Sequence, residues 1–341
     1  MTSLLIRGKP IARVKQCLES YRASAGYSGR PRLFLLNRSG FGYSLSSLLL
    51  GNRILILKLA VQFLTGKAIL LRVSLPAHSL RVKNNIRVFF DAPDGGTTPI
   101  TAKIALPSKY RTGSLAHEIE ARRLLQAHTG GRFAIPVIIR CDAPDGAWLE
   151  EEFVPSSSAS KGEKIRIFLG EVAPCVYRGT LRRESAAQAL PRMGLTVDDL
   201  AQAGGPLGLN VALLENPLTV GYIHGDLSPE NMILGRGGQL HLIDWELSRT
   251  APIAWDLKKI FFYDQAGTLA LLESLRSEGD MSARGQMHVA LCCQLVCLKR
   301  DRDARFAYLT SNRNKTHTEA NDMIAKQETE LQTWIRQLAQ G

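Results

Sequence analysis

Tyr222-Ile-His-Gly-Asp-Leu-Ser-Pro-Glu-Asn231 is followed closely by Leu242-Ile-Asp-Trp-Glu246. The first stretch reads H-x-D-x-x-x-x-N, and the second is an apolar strand that ends by delivering an aspartate. Phosphoryl transfer from a nucleotide needs one carboxylate to meet the acceptor hydroxyl. It also needs an amide and a second carboxylate to hold a divalent cation against the phosphates. Each part has a plainer reading, because Asp, Ser and Asn suit turns and an aspartate at a strand end can cap a helix. The flanks decide between the two. Tyr222-Ile223 and Met232-Ile-Leu234 are apolar, Gly235-Arg-Gly-Gly238 supplies a hairpin turn, and Gln239 to Ile243 alternates. The stretch therefore reads as strand, loop, strand, turn, strand, which is the setting that phosphoryl-transfer chemistry requires.

These motifs resemble those of the aminoglycoside phosphotransferase and choline kinase family, within the wider protein-kinase-like fold: H-G-D-x-x-x-x-N, then I-D-[WF]-[ED]. The resemblance implies an α+β, bilobed fold with a small antiparallel-sheet N-lobe and a larger, mainly helical C-lobe. It implies ATP and magnesium (Mg2+) as cofactors, Asp226 as the catalytic carboxylate, and Asn231 and Asp244 as metal ligands. His224 would support the loop, and Asp256, in Trp255-Asp256-Leu257, would brace it from behind. The chain then divides into a basic N-terminal extension (1–67), an N-lobe (68–154) and a C-lobe (155–341).

The same resemblance calls for an ATP-phosphate lysine on an N-lobe strand. In Ile100-Thr-Ala-Lys-Ile-Ala-Leu106, the residues Ile100, Ala102, Ile104 and Leu106 share one face, so Lys103 points the other way. Ile86 to Asp91 alternates as the preceding strand, with Asp94-Gly95 as the turn between them. Lys103 needs an acidic partner on the next helix, which Ser114 could cap. Leu115, Ile119 and Leu125 mark an apolar stripe there; Glu118 lies beside it and Glu120 points away. Glu151, Glu152 and Phe153 are placed by resemblance at the hinge whose backbone holds the adenine edge. One part is missing. The strand Leu71 to Leu75 is followed by Pro76 to Lys83, expected to be the phosphate-covering loop, and it contains no glycine. Ser79, Arg81 and Lys83 are its candidate phosphate contacts. Gly40-Phe-Gly42 lies 61 residues before Lys103, which reads as too far for a compact hairpin sheet.

With 341 residues, 45% hydrophobic and 22% charged, the chain has ample material for a core. Six cysteines and no leader pattern read as reduced thiols in a cytoplasmic protein. Cys293 and Cys297 read as helix packing, since no second pair completes a zinc set. Residues 1–110 carry 17 Lys/Arg against 3 Asp/Glu, an excess of +14, while the remainder carries 26 against 28. Within that basic third, Ile54 to Leu64 and Ala68 to Val73 are apolar, broken by Lys58, Lys67 and Arg72. Neither run approaches the roughly 20 residues that span a bilayer. Peripheral contact with an anionic membrane surface is one reading, and an apolar face packed on the sheet is the other. Nucleic acid is disfavoured, because few aromatics accompany the basic residues.

The acceptor is read as a small hydroxylated molecule: a sugar, an amino alcohol or a glycan precursor. Gly225 stands where many protein kinases place an arginine, Asp-Trp-Glu replaces D-F-G, and nine residues separate Glu246 from Asp256. That leaves little room for a peptide platform. The alternative from another class is a non-catalytic nucleotide-binding or membrane-docking scaffold, kept open by the missing glycine loop.

Overall fold

The computed structural model describes residues 5–6, 9–28, 32–37, 40–44, 61–63, 65, 68–82, 85–90, 99–106, 115–142, 146–312 and 315–340. The Asp94-Gly95 turn, Ser114, Lys58, Lys67 and Lys83 lie outside the described residues, as does most of Ile54 to Leu64. Two compact units divide the chain. One takes the described residues up to Ile119 together with Pro136–Phe153; the other takes Glu120–Ile135 and Val154 onward.

The first unit is built on eight antiparallel strands: β1 (Arg32–Asn37), β2 (Phe41–Ser44), β3 (Ala68–Val73), β4 (Ala77–Val82), β5 (Asn85–Phe90), β6 (Ile100–Ala105), β7 (Ile138–Cys141) and β8 (Trp148–Glu152). Their spatial order is β7-β8-β6-β5-β4-β2-β1-β3. The alternation read in Ile100 to Leu106 has a structural cause. Ala102, Ile104 and Leu106 are buried in one cluster with Val14, Leu18 and Tyr21 of helix α1 (Ile11–Ser24). On the opposite face, Leu149 of β8 packs with Leu115 and Ile119 of helix α2 (Leu115–Gln126).

Three expectations are corrected here. Residues 77–82 form strand β4, not a phosphate-covering loop. Leu71 is not in the first strand, because β1 and β2 precede it and Ala68–Val73 is, among the described residues, the edge strand beyond β1. Gly40-Phe-Gly42 is not remote from the sheet, since Gly42 pairs with Leu80 and the Val82 amide donates to the Gly40 carbonyl at 2.7 Å. The last two share a physical reason: β4 pairs with β2 and β3 with β1, strands that are not consecutive in sequence, so chain separation there says little about adjacency. The N-terminal third is consequently part of the sheet unit rather than an appendage. Its apolar stretch 68–73 buries alternate residues as an edge strand does.

A knot of polar bonds anchors α1. Glu150, buried on the α1 face of β8, accepts from Tyr21 Oη at 2.6 Å and Tyr27 Oη at 3.2 Å, and from Arg140 Nε at 2.6 Å and Nη2 at 2.9 Å. Arg140 also donates to the Ala25 carbonyl at 2.8 Å, and Trp148 Nε1 to Ser24 Oγ at 2.6 Å. A buried carboxylate is tolerated only when its oxygens are bonded in this way.

The second unit is mainly helical, and its core gathers apolar residues from α3 (Ala173–Arg178), α4 (Ile253–Phe261), α5 (Ala283–Arg300) and α6 (His317–Gln340). Two small sheets support it. Strand β9 (Leu218–Ile223) pairs with β12 (Arg249–Pro252), and β10 (Met232–Leu234) pairs with β11 (Leu240–Leu242). This is the strand-loop-strand-turn-strand order read from the sequence. All six cysteines are free thiols, and Cys293 is buried in α5 as packing. Among the described residues, no helix is long and apolar enough to cross a membrane.

Candidate functional site

In the second unit, β9 runs into the loop 224–231, which Asp256 of α4 holds from beneath. Its Oδ2 accepts the His224 amide at 2.8 Å and the Tyr177 hydroxyl at 2.9 Å, while its Oδ1 accepts the Gly225 amide at 2.9 Å. The carboxylate thus satisfies two loop amides at once, the bonding a buried charge requires. Burial and the neighbouring Asp256 push the Tyr177 phenol well above its ordinary range, so it stays protonated and donates. His224 is buried: Nε2 donates to the Ile243 carbonyl at 2.7 Å, Nδ1 accepts the Asp226 amide at 3.3 Å, and the ring lies 4.6 Å from that of Trp245.

Gly225 has φ +83°, and a Cβ there would stand 2.1 Å from the Leu247 carbonyl oxygen. That explains why this loop carries glycine and cannot carry arginine. Asp226 emerges just beyond, its side chain 44% exposed. Asn231 Nδ2 donates to the Asp226 carbonyl at 2.9 Å and approaches Asp226 Oδ2 at 3.4 Å. This commits the amide nitrogen and leaves Oδ1 as the Asn231 group of ligand character. The Ile243 amide donates to the Asn231 carbonyl at 3.0 Å, which brings the next residue, Asp244, alongside the loop. Asp244 has φ +67° and is the one non-glycine in the left-handed region among the described residues. Strain of this kind collects at functional positions. Oxygen donors from an amide and a carboxylate suit a hard divalent cation such as magnesium.

In the first unit, Lys103 is fully buried, with Nζ 2.6 Å from Glu118 Oε1 and 3.7 Å from Glu151 Oε1. Glu118 is buried as well, whereas Glu120 is exposed. Glu151 contributes by its side chain, because the face of β8 that bears it also faces Lys103. Along the expected hinge, Glu151 to Phe153, the Glu152 amide donates to the Val137 carbonyl at 3.0 Å and the Phe153 amide to the Pro99 carbonyl at 2.8 Å. Both donors are spent within the sheet, and no side-chain pattern announces this. The Phe153 ring instead lines a cavity of about 350 Å³ with Phe41, Tyr43, Ser79, Arg81 and Phe89.

Sequence reasoning missed two groups here. Lys259 Nζ, from α4, makes an ion pair with Asp226 Oδ1. Tyr177 reaches Asp256 from 79 residues away. The placement of Lys259 three residues after Asp256, one helical turn, was the available signal.

The sequence model of the phosphotransferase enzyme family matches residues 84–288. The chain belongs to the phosphotransferase enzyme family. Choline kinase LicA from Streptococcus pneumoniae is 14% identical and superposes with a TM-score of 0.50, covering 74% of this chain and 90% of its own. The fold of this phosphotransferase is accordingly α+β and protein-kinase-like. Spectinomycin phosphotransferase APH(9)-Ia, solved with ADP and spectinomycin, is 12% identical at a TM-score of 0.46, covering 76% of this chain and 94% of its own. The serine/threonine-protein kinase PknD of Protochlamydia amoebophila (strain UWE25) is 27% identical over 189 residues, 52% of this chain. The match spans 16% of that kinase's length.

Proposed function

We propose that this phosphotransferase moves the γ-phosphoryl group of ATP to a hydroxyl of a small molecule (a sugar, an amino alcohol or a glycan precursor), with magnesium. The observation that carries the reading is the braced loop. Asp256 fixes the amides of His224 and Gly225 so that Asp226 stands half-exposed, hydrogen-bonded to Asn231 and with Asp244 alongside. In this reading Asp226 orients the acceptor hydroxyl and takes its proton. Asn231 Oδ1 and the Asp244 carboxylate hold the metal, which supplies charge neutralisation on the phosphates. Lys103, set by Glu118 and Glu151, meets the nucleotide phosphates, and the aromatic cavity beside Phe153 takes the base. Positioning and electrostatics supply most of the rate, since the chemistry needs little else from the protein.

The test is ATP- and magnesium-dependent transfer over a panel of sugars and amino alcohols. Asp226→Ala and Asp244→Ala each abolish turnover in protein that melts as a folded chain; transfer persisting in either variant refutes the assignment. Nucleotide binding without transfer is a second reading, favoured by the absence of glycine from the sequence Val82-Lys-Asn-Asn85. Wild-type protein that binds ATP yet phosphorylates nothing in the panel supports it. Peptide substrates fit less well, because residues 247–255 pass straight into β12 and the start of α4. Contact of the basic N-terminal third with anionic lipid, at the inner face of a membrane, completes the proposal. Arg13 and Lys15 are exposed on α1 and available for it. Sedimentation with anionic vesicles at rising salt tests this part; no binding at low salt removes it.

A further inference from the structure

A phosphoryl group in flight spreads charge over three equatorial oxygens and needs cations fixed beside the acceptor. The segment Asp226-Leu-Ser-Pro-Glu-Asn231 carries no basic residue. Beside Asp226, the second unit offers Lys259, whose Nζ pairs with Asp226 Oδ1 while both side chains remain accessible, at 41% and 44%. A half-exposed pair of this kind contributes at most about 1 kcal/mol to stability, so fold stability is a weak reason for it. Its placement is firm nonetheless. Lys259 lies one turn after Asp256 on α4, so the helix that holds the loop amides also sets the lysine. The adjacent Lys258 is unsuited to this role, because it is buried, donates to the Trp255 carbonyl at 2.8 Å and lies 3.9 Å over the Trp255 ring.

We propose that Lys259 is a second catalytic residue of this unit, a cation that shifts from Asp226 to an equatorial oxygen of the transferring phosphoryl group. The inference rests on the reading of Asp226 as the group that meets the acceptor hydroxyl. In the step, the acceptor oxygen forms a bond to the γ-phosphorus and its proton passes to the Asp226 carboxylate. The bond from that phosphorus to the β,γ-bridging oxygen breaks, and its electron pair leaves on ADP. Lys259 stays protonated throughout. Releasing Lys259 frees Asp226 Oδ1 at the moment it must accept the hydroxyl, so one ion pair serves both events.

The probe is magnesium with ADP, alone and with aluminium fluoride as a planar phosphoryl mimic, titrated calorimetrically against wild type, Lys259→Gln and Lys259→Arg. Lys259→Gln should bind ADP like wild type and lose about 100-fold in affinity for the ADP–fluoride complex, the size expected for one lost oxyanion partner. Lys259→Arg should recover most of it. Lys259→Gln holding the mimic as tightly as wild type overturns the inference, as does equal weakening of ADP and the mimic, which is the mark of a structural role. Wild type gaining no affinity from fluoride overturns it too. Wild type binding no ADP at all instead overturns the nucleotide reading beneath it.

Discussion

Replacing Gly225 with alanine isolates what the turn at the start of the loop 224–231 demands. Its φ of +83° costs an L-residue about 1–2 kcal/mol. The new Cβ would stand 2.1 Å from the Leu247 carbonyl oxygen and 2.7 Å from its carbon, backbone atoms that no rotamer change can move. Relief of such overpacking costs a further ~1–3 kcal/mol. Any shift of the loop also strains the 2.9 Å bond from the Gly225 amide to Asp256, a charge-assisted bond worth about 1.5–3 kcal/mol. The total expected loss is about 3.5–8 kcal/mol, the upper end applying if the bond is lost outright. Gly238 provides the control: its φ is +79° and nothing lies within 4 Å of its Cβ position, so Gly238→Ala meets only the backbone cost, about 1–2 kcal/mol. Urea unfolding followed by tryptophan fluorescence suits the comparison, since Trp245, Trp255 and Trp334 all lie in the second unit. Equal midpoint shifts for the two variants would refute the steric argument. They would also put an arginine back among the residues that position could hold.

Asp256→Ala leaves the His224 and Gly225 amides and the Tyr177 hydroxyl without their acceptor, and should cost about 3–5 kcal/mol while abolishing transfer. A variant that keeps wild-type stability contradicts the bracing role. Burial pushes the Lys258 ammonium down to about 8. Below pH 8 both folded and unfolded chains carry the proton, and the folded state bears the full burial cost of about 3 kcal/mol. Between pH 8 and the free lysine value near 10.5, the unfolded chain binds more protons, so stability rises with pH. Wild type should therefore gain on Lys258→Met across that window, and a pH-independent difference between them rules the account out. In the first unit, Glu150→Ala strands the Tyr21 hydroxyl and should speed amide exchange across 11–24 without touching 224–231; unchanged protection of α1 would show that the knot holds nothing.

Legibility followed locality. The loop 224–231 and the strand end at Asp244 could be read because their residues and their flanking strands are contiguous. Alternation in Ile100 to Leu106 was enough to turn Lys103 away from the apolar face, and helical spacing separated Glu118 from Glu120. What escaped depended on contacts between distant segments. The pairing of β2 with β4, and of β3 with β1, obeys no spacing rule. Glu150 draws its partners from residues 21, 27 and 140, and backbone donors such as those of Glu152 and Phe153 have no side-chain signature. Lys259 was visible as a residue but not as a partner of Asp226, because the approach of α4 to the loop is set by packing.

The anchoring of α1 decides how the basic N-terminal third can be studied. Cutting the chain near residue 67, where composition suggests a boundary, would remove two sheet strands and uncover Ala102, Ile104 and Leu106, the back of the strand that carries Lys103. A truncated protein that aggregates or loses nucleotide affinity would then report a broken sheet, with the loss easily mistaken for a lost docking function. Charge reversal at the exposed Arg13 and Lys15 leaves the helix seated and changes only what the surface presents. In this phosphotransferase the segment proposed to face an outside partner is also the wall behind Lys103, so its two duties separate by side chain and not by deletion.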